Sequence, residues 1–370
     1  MIPVKLSNTT QSSIVAMGTR LTKAMKETGQ EYLMLNRGVN SVVTIELSEV
    51  IKSIDFNSTD IQVYPATNGK MELLKAINQE YFANQATVNN ILVTGGGGIS
   101  GLDISLQNIQ VKKVLLPPLF WGTYSQLLSL RGISFESYSN YEWFAENTNK
   151  LSGTAVIICD PGNPAGEKYP DAQLLELIQN LNKNGVIVLF DSPYRRLFHN
   201  HSDTLFQELM NLEHVIIIES FSKSLGLSGQ RIGFIHNIQQ SFINEAALRL
   251  MYATNGVNSF AQVLVTRLLA TPEGIRAVSD FKKVTTEHIE ANIAFLHENQ
   301  LLASRFYQDS KPLGIFAIVD RSPEELFQQR IGSVGLDYFT MTSFEGMENL
   351  SRILVSFPHE KFVSFFRSFL

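Results

Sequence analysis

Ser220-Phe221-Ser222-Lys223-Ser224-Leu225-Gly226-Leu227-Ser228-Gly229-Gln230-Arg231-Ile232-Gly233-Phe234 directly follows the β-branched run Val215-Ile216-Ile217-Ile218. The run reads as a buried strand that ends in small hydroxyl residues and passes through one lysine into a glycine-rich turn and an arginine. Such a segment sets an amine and a guanidinium beside one cavity, an arrangement for holding a carbonyl and an anion. A lysine near low-dielectric surface loses part of its preference for the charged state and can form a Schiff base as a neutral amine. Taken without its surroundings, a lysine in a loop is a solvated charge.

The surroundings extend the pattern outward. Val186-Ile187-Val188-Leu189-Phe190 is apolar on both faces, as a central parallel strand is, and ends in Asp191-Ser192-Pro193-Tyr194. A carboxylate there is costly unless it meets a cation, or else it caps the following turn. The strand Thr154 to Cys159 delivers Asp160-Pro161-Gly162-Asn163-Pro164-Ala165-Gly166, whose Asn-Pro-x-Gly is a turn signal. Ile91 to Thr94 is a further strand, and Gly95 to Gly98, Ile99, Ser100 and Gly101 lead from it into a helix over Leu102 to Ile109. Glycines before a helix let the backbone approach a ligand, and the free N–H groups of the first turn attract an anion. The run lacks the G-K-[ST] ending of a Walker loop and the G-x-G-x-x-G spacing. After the strand Lys113 to Leu116, Pro117-Pro118-Leu119-Phe120-Trp121-Gly122-Thr123-Tyr124 either caps the core or offers a planar ligand an aromatic face.

Helical periodicity occurs over 10–28, Lys70 to Tyr81, Ala172 to Leu181, Ile238 to Met251, Ser259 to Leu269 and Glu273 to about Asn299. Strands are expected near Ile315 to Val319, Tyr338 to Met341 and Ile353 to Ser356, before a final helix. The strand–helix alternation predicts an α/β fold with a mainly parallel sheet and helices on both faces.

Composition limits the function classes. With 370 residues, 44% hydrophobic and 18% charged, the chain is an ordinary globular sequence with a length suited to roughly two domains. A net charge of −5 without a Lys/Arg block provides no field for nucleic acid. The single cysteine, Cys159, cannot form a disulfide within the chain and is expected as a buried thiol. The N-terminus has no basic flank followed by an apolar region, and no stretch approaches about 18 apolar residues. A cytoplasmic location without membrane contact is therefore expected.

These motifs, in this order, resemble the class I/II aminotransferases of the fold-type I pyridoxal-phosphate enzymes, the aspartate aminotransferase superfamily, over roughly residues 30 to 357. The resemblance implies a large cofactor domain over 41–285 with a seven-stranded sheet, and a small α+β domain from 1–40 and 286–370. The lysine stretch is similar to S-x-S-K-x-x-G-x-x-G-x-R, in which Lys223 carries the Schiff base while Ser220 and Arg231 hold the cofactor phosphate. Gly96, Gly97 and Gly98 stand where the family has T-x-G-[AS]-[ST] as its phosphate cup, with a glycine where a hydroxyl is usual. Trp121 is implied as the ring stacked on the pyridine by P-x-[YW]-x-x-[YH], but one residue inserted after Pro118 keeps Phe120 as a rival. Asn163 and Tyr194 are implied at the cofactor's 3′ oxygen and Asp191 at its pyridine nitrogen; Gly162 replaces the family's first asparagine.

Arg352, in Arg352-Ile353-Leu354-Val355-Ser356, is implied as the grip on the substrate α-carboxylate, with Gly38 in the entry segment. Tyr64, in Tyr64-Pro65-Ala66-Thr67-Asn68-Gly69, would reach the phosphate in a neighbouring subunit and make a homodimer. The family's P-G-x-x-F is absent, with Thr342-Ser343-Phe344-Glu345-Gly346 in its neighbourhood. The implied reaction moves an amino group from an amino acid to a 2-keto acid. The same signature would serve a β-elimination lyase or a non-catalytic regulator that binds pyridoxal phosphate. No metal-ligand set is assigned.

Overall fold

The computed structural model describes residues 2–4, 6–199, 203–308 and 310–370. Its centre is a seven-stranded sheet built from β2 (Ile91–Gly97), β3 (Val114–Leu116), β4 (Phe135–Ser137), β5 (Ala155–Cys159), β6 (Ile187–Asp191), β7 (Val215–Ser220) and β8 (Gly233–His236). The spatial order is β2-β8-β7-β6-β5-β3-β4, and β8 runs antiparallel to both of its neighbours while the remaining pairings are parallel. The fold is thus the α/β architecture with a mainly parallel sheet that the alternation of elements predicts. Ala155 to Ile158, Val188 to Phe190 and Val215 to Ile218 are buried along their whole length. Helices cover this apolar sheet: Gly98–Asn108 packs on β2 and β7, Gln240–Thr254 on β2, and Asp171–Lys183 on β6.

Two smaller sheets complete the fold. β1 (Leu33–Met34) pairs in parallel with β10 (Ile331–Gly332), so residues near the two chain ends share one ladder. β9 (Phe316–Val319), β11 (Val334–Gly335) and β12 (Ser351–Leu354) form an antiparallel sheet in the order β11-β12-β9. The helix Pro272–Glu298 begins with Thr271 capping the Gly274 N–H and Pro272 in the first turn, which suits a proline that has no N–H to offer.

Three local expectations are corrected. Tyr338 to Met341 is not a strand: Leu336–Phe339 forms a short 3₁₀ turn and the pairing residues are Val334–Gly335. The turn buries Leu336 and Phe339, three residues apart on one side, while Tyr338 is half-buried. The glycine run is not a free loop, because Gly95 to Gly97 continue β2 and the helix begins at Gly98 rather than Leu102. Cys159 is half-buried at the end of β5, where its thiol faces the Pro161 carbonyl at 3.4 Å, and is not enclosed in the core. Among the described residues, no helix is long and apolar enough to cross a membrane.

Candidate active site

Because β5, β6 and β7 are parallel neighbours in register, their C-terminal ends arrive together: Cys159 lies opposite Asp191, and Asp191 opposite Ile218. Open α/β sheets bind ligands at this edge. A cavity of about 300 Å³ opens there, lined by Gly38, Gly98, Trp121, Asn163, Asp191, Tyr194, Ser220, Lys223, Arg231 and Arg352. Ten of the residues singled out in the sequence therefore meet in one cavity, although they come from positions 38 to 352 of the chain.

The cavity's charged side chains are Asp191, Lys223, Arg231 and Arg352. Asp191 is 3% exposed, and its Oδ2 accepts a hydrogen bond from the Tyr124 hydroxyl at 2.6 Å. Burial pushes the Asp191 carboxyl up to about 7, against the opposing pull of that bond. Lys223 donates to the Gly38 carbonyl, and burial beside the cations Arg231 and Arg352 brings its amine down to about 8. Arg352 is 1% exposed, its guanidinium lying 4.1 Å from the ring centre of Phe316 and 4.7 Å from that of Phe339. It donates to the Asn36 carbonyl and to Asn163 Oδ1, but its Nε has no acceptor, and no carboxylate lies within ion-pair distance among the described residues. Burial draws Arg352 down to about 10.

Asn163 joins Arg352 to Tyr194, donating from Nδ2 to the Tyr194 hydroxyl at 3.1 Å while receiving Arg352 on Oδ1 at 3.3 Å. The far end of the cavity is small and polar. Gly97 has φ +69°, and a Cβ there would sit 3.2 Å from Ser220 Oγ, 3.5 Å from Arg231 Nη2 and 3.6 Å from Ser222 Oγ. Ser220 Oγ and Ser222 Oγ are 3.0 Å apart, and Arg231 Nη2 donates to the Gly96 carbonyl at 2.6 Å. The free N–H groups of the Gly98–Asn108 helix begin at the same point. Two hydroxyls, a guanidinium and a helix N-terminus around a missing Cβ form a cradle for a tetrahedral anion.

Trp121 lines the cavity, whereas Phe120 is buried and faces a second cavity of about 230 Å³ that shares Tyr124 and Asn163 with the first. Tyr64 stands apart, 80% exposed on the surface formed with Asn255 to Phe260. The sequence motifs missed Tyr124, Ser222, Ile14 and Phe316 as lining residues. Tyr124 stood at the last position of the aromatic pattern and Ser222 directly beside the lysine, so both carried a local signal; Ile14 and Phe316 are apolar residues indistinguishable from core.

A model of aminotransferase class I and II matches residues 16–361. The chain belongs to the class I and II aminotransferase family. Among curated family relatives, a putative aminotransferase of Bacillus subtilis, YugH, is 28% identical over 238 residues, 60% of each chain. The histidinol-phosphate aminotransferase of Thermoanaerobacter sp. is 26% identical over 236 residues, 60% of this chain and 63% of the relative. The matched stretches thus span about three fifths of these relatives' length. Of solved aminotransferase structures, Thermus thermophilus aspartate aminotransferase with maleate superimposes at a TM-score of 0.83 with 18% identity, covering 100% of this chain and 99% of that one. An aminotransferase from Mycobacterium tuberculosis gives 0.83 with 16% identity, covering 100% and 99%. At these identities the superpositions establish the fold.

Proposed function

We propose that this protein is a pyridoxal-phosphate-dependent aminotransferase that moves an amino group from an amino acid to a 2-keto acid. One observation carries the reading: a buried carboxylate, a half-buried amine and a buried guanidinium converge on one cavity, none of them with an ion-pair partner among the described residues. Buried charges are expensive unless a bound group completes them. Pyridoxal phosphate and an amino acid would complete all three, and the anion cradle at Gly97 gives the phosphate its seat.

In this reading Ser220, Arg231 and the backbone of Gly96 to Gly98 hold the phosphate, and Trp121 faces the ring. Asp191, kept in place by Tyr124, pairs with the ring nitrogen, and Asn163 and Tyr194 hold the 3′ oxygen. When bound, the cofactor supplies a carbonyl for an amine and a ring that accepts the electron pair released at the substrate Cα. Arg352 receives the α-carboxylate on its planar fork, and Asn163 keeps that fork oriented. Lys223, neutral in an appreciable fraction near pH 8, takes the Cα proton as general base and returns it as general acid. Gly38 accepts the Lys223 amine, and a Cβ at Gly38 would strike the Phe316 ring at 2.7 Å, so a glycine lets that wall close on the site.

The domain division proposed is 41–285 for the cofactor unit and 1–40 with 286–370 for the smaller unit, supported by the ladder between β1 and β10. Tyr64, exposed and remote from its own cavity, suits a homodimer in which it serves the neighbouring site. A cytoplasmic location belongs to the same reading.

The test is the visible absorption of the purified protein with pyridoxal phosphate, followed by borohydride reduction and peptide mapping. Label at Lys223 and turnover in a panel of amino donors and keto acids are expected. Absence of the band, or label on another lysine, refutes the proposal; ammonia release without a keto acid would redirect it to elimination.

A further inference from the structure

Five charged side chains close on one another below the loop that carries Asn163, and the proposed chemistry uses none of them. Arg195 is completely buried. Its Nε and Nη2 donate to Asp203 at 2.6 Å each, and its Nη1 and Nη2 donate to Asp171 at 2.9 and 2.7 Å. Its Nη1 also lies 3.6 Å from Asp160 Oδ1. Lys168 bridges Asp160 at 3.2 Å and Asp171 at 2.5 Å, and Asp160 Oδ2 accepts the Tyr169 N–H at 2.9 Å.

The connectivity of this cluster is specific. Asp160 stands three residues before Asn163, and Arg195 directly follows Tyr194. The β5–β6 ladder fixes the two chains as far as Cys159 opposite Asp191 and no further. Beyond it the two loops meet again through the ion pair of Arg195, next to Tyr194, with Asp160, three residues before Asn163. A buried ionic cluster is a poor device for stability, since apolar side chains of similar volume do as well or better. What it does specify is geometry: a planar fork held on two carboxylates leaves little freedom to the backbone on either side.

We infer that Arg195 is a positioning residue, which acts through Asp160, Asp171 and Asp203 to fix the distance between the Asn163 amide and the Tyr194 hydroxyl. The inference rests on the reading above, in which these two donors share the cofactor's 3′ oxygen. Aligned donors stabilise that oxygen as an anion, and hydrogen bonds weaken steeply once they are bent or stretched. Loosening the cluster therefore raises the pH midpoint at which the visible absorbance of the bound cofactor changes.

The experiment titrates that absorbance in the holoenzyme for wild type, Asp160→Asn, Arg195→Lys and Lys168→Met. Asp160→Asn is isosteric and retains an acceptor for the Tyr169 N–H, and Lys168 lies at the cluster's margin, so two variants remain informative if Arg195→Lys does not fold. The expected result is an upward midpoint shift of about one pH unit in Asp160→Asn and Arg195→Lys, a tenfold change in proton affinity, and a smaller shift in Lys168→Met. Phe366→Leu, a buried core change outside the site, serves as the stability-matched control and is expected to leave the midpoint in place. Unchanged midpoints in the folded cluster variants overturn the inference, as does an equal shift in Phe366→Leu. A wild type with no visible band at Lys223 instead refutes the functional reading on which the inference stands.

Discussion

Replacing Asp191 by asparagine should stabilise the cofactor-free protein while disabling the holoenzyme. In the cofactor-free chain Asp191 is buried, and the neutral Tyr124 hydroxyl donates to it. Its carboxyl is raised from 3.8 to about 7 by that burial. The folded state thus holds a proton that the unfolded chain releases near pH 4, and stability falls as pH rises from about 4 to about 7. At about 1.4 kcal/mol per pH unit the full penalty is about 4 kcal/mol, in place at and above pH 7. Asparagine keeps an oxygen for the Tyr124 hydroxyl but loses the charge assistance of that bond, which leaves a net gain of about 2–3 kcal/mol. The assay is denaturant unfolding of the cofactor-free proteins at pH 4.5 and pH 8. The variant is expected to be more stable at pH 8, with the difference largely gone at pH 4.5. With cofactor bound the order reverses in function, and kcat is expected to fall on the order of 10²–10³-fold, the scale of losing one preorganised electrostatic contact. A variant no more stable than wild type at pH 8, or a gain independent of pH, would refute the claim that Asp191 is a buried charge awaiting a cation.

Other perturbations test the remaining walls. Arg352→Lys retains a charge but loses the fork, so kcat/KM for amino donors should fall by about 3 kcal/mol, on the order of 10²-fold, with cofactor affinity intact by equilibrium titration. Gly97→Ala places a methyl group in the anion cradle at φ +69° and ψ −154°, a region essentially reserved to glycine, costing about 1–3 kcal/mol in backbone strain and weakening the cofactor more than about tenfold in the same titration. The rate of cofactor uptake by the free protein should rise about tenfold per pH unit below about 8 and level off above it, because the neutral fraction of Lys223 sets it; stopped-flow absorbance measures this.

The sequence carried most of the site because each element of it is a local pattern. A buried strand, a polar residue at its C-terminal end and a turn follow one another within about ten residues, as for Asp191 after Ile187 to Phe190 and Lys223 after Val215 to Ser220. Parallel order then brings those ends together without further information. What stayed hidden is long-range. Phe316 reaches Arg352 and Gly38 only through the fold, and no spacing in the sequence distinguishes it from any other core phenylalanine. The choice between Phe120 and Trp121 likewise turned on which ring faces the lysine cavity, a matter of one residue in a loop. Tyr338 to Met341 failed as a strand for the converse reason: its local aromatic content suits a strand, and the burial of Leu336 and Phe339 on one side selected a 3₁₀ turn.

Around the lysine cavity the departures from ordinary charge pairing share a direction. Asp191, Lys223 and Arg352 each bear a charge that burial works against, and their titrations move toward neutrality, up for the acid and down for the two bases. Elsewhere some buried charge is compensated, as where Arg195 meets three carboxylates, whereas Glu219 is completely buried with its Oε2 unpartnered among the described residues. Among the described residues these three cavity charges meet no opposite charge within ion-pair distance, an arrangement that suits partners supplied by ligands. A molecule that binds only the folded state stabilises it by mass action. Cofactor and substrate should therefore raise the stability of this protein by more than their contact area suggests, since each also ends the isolation of a charge.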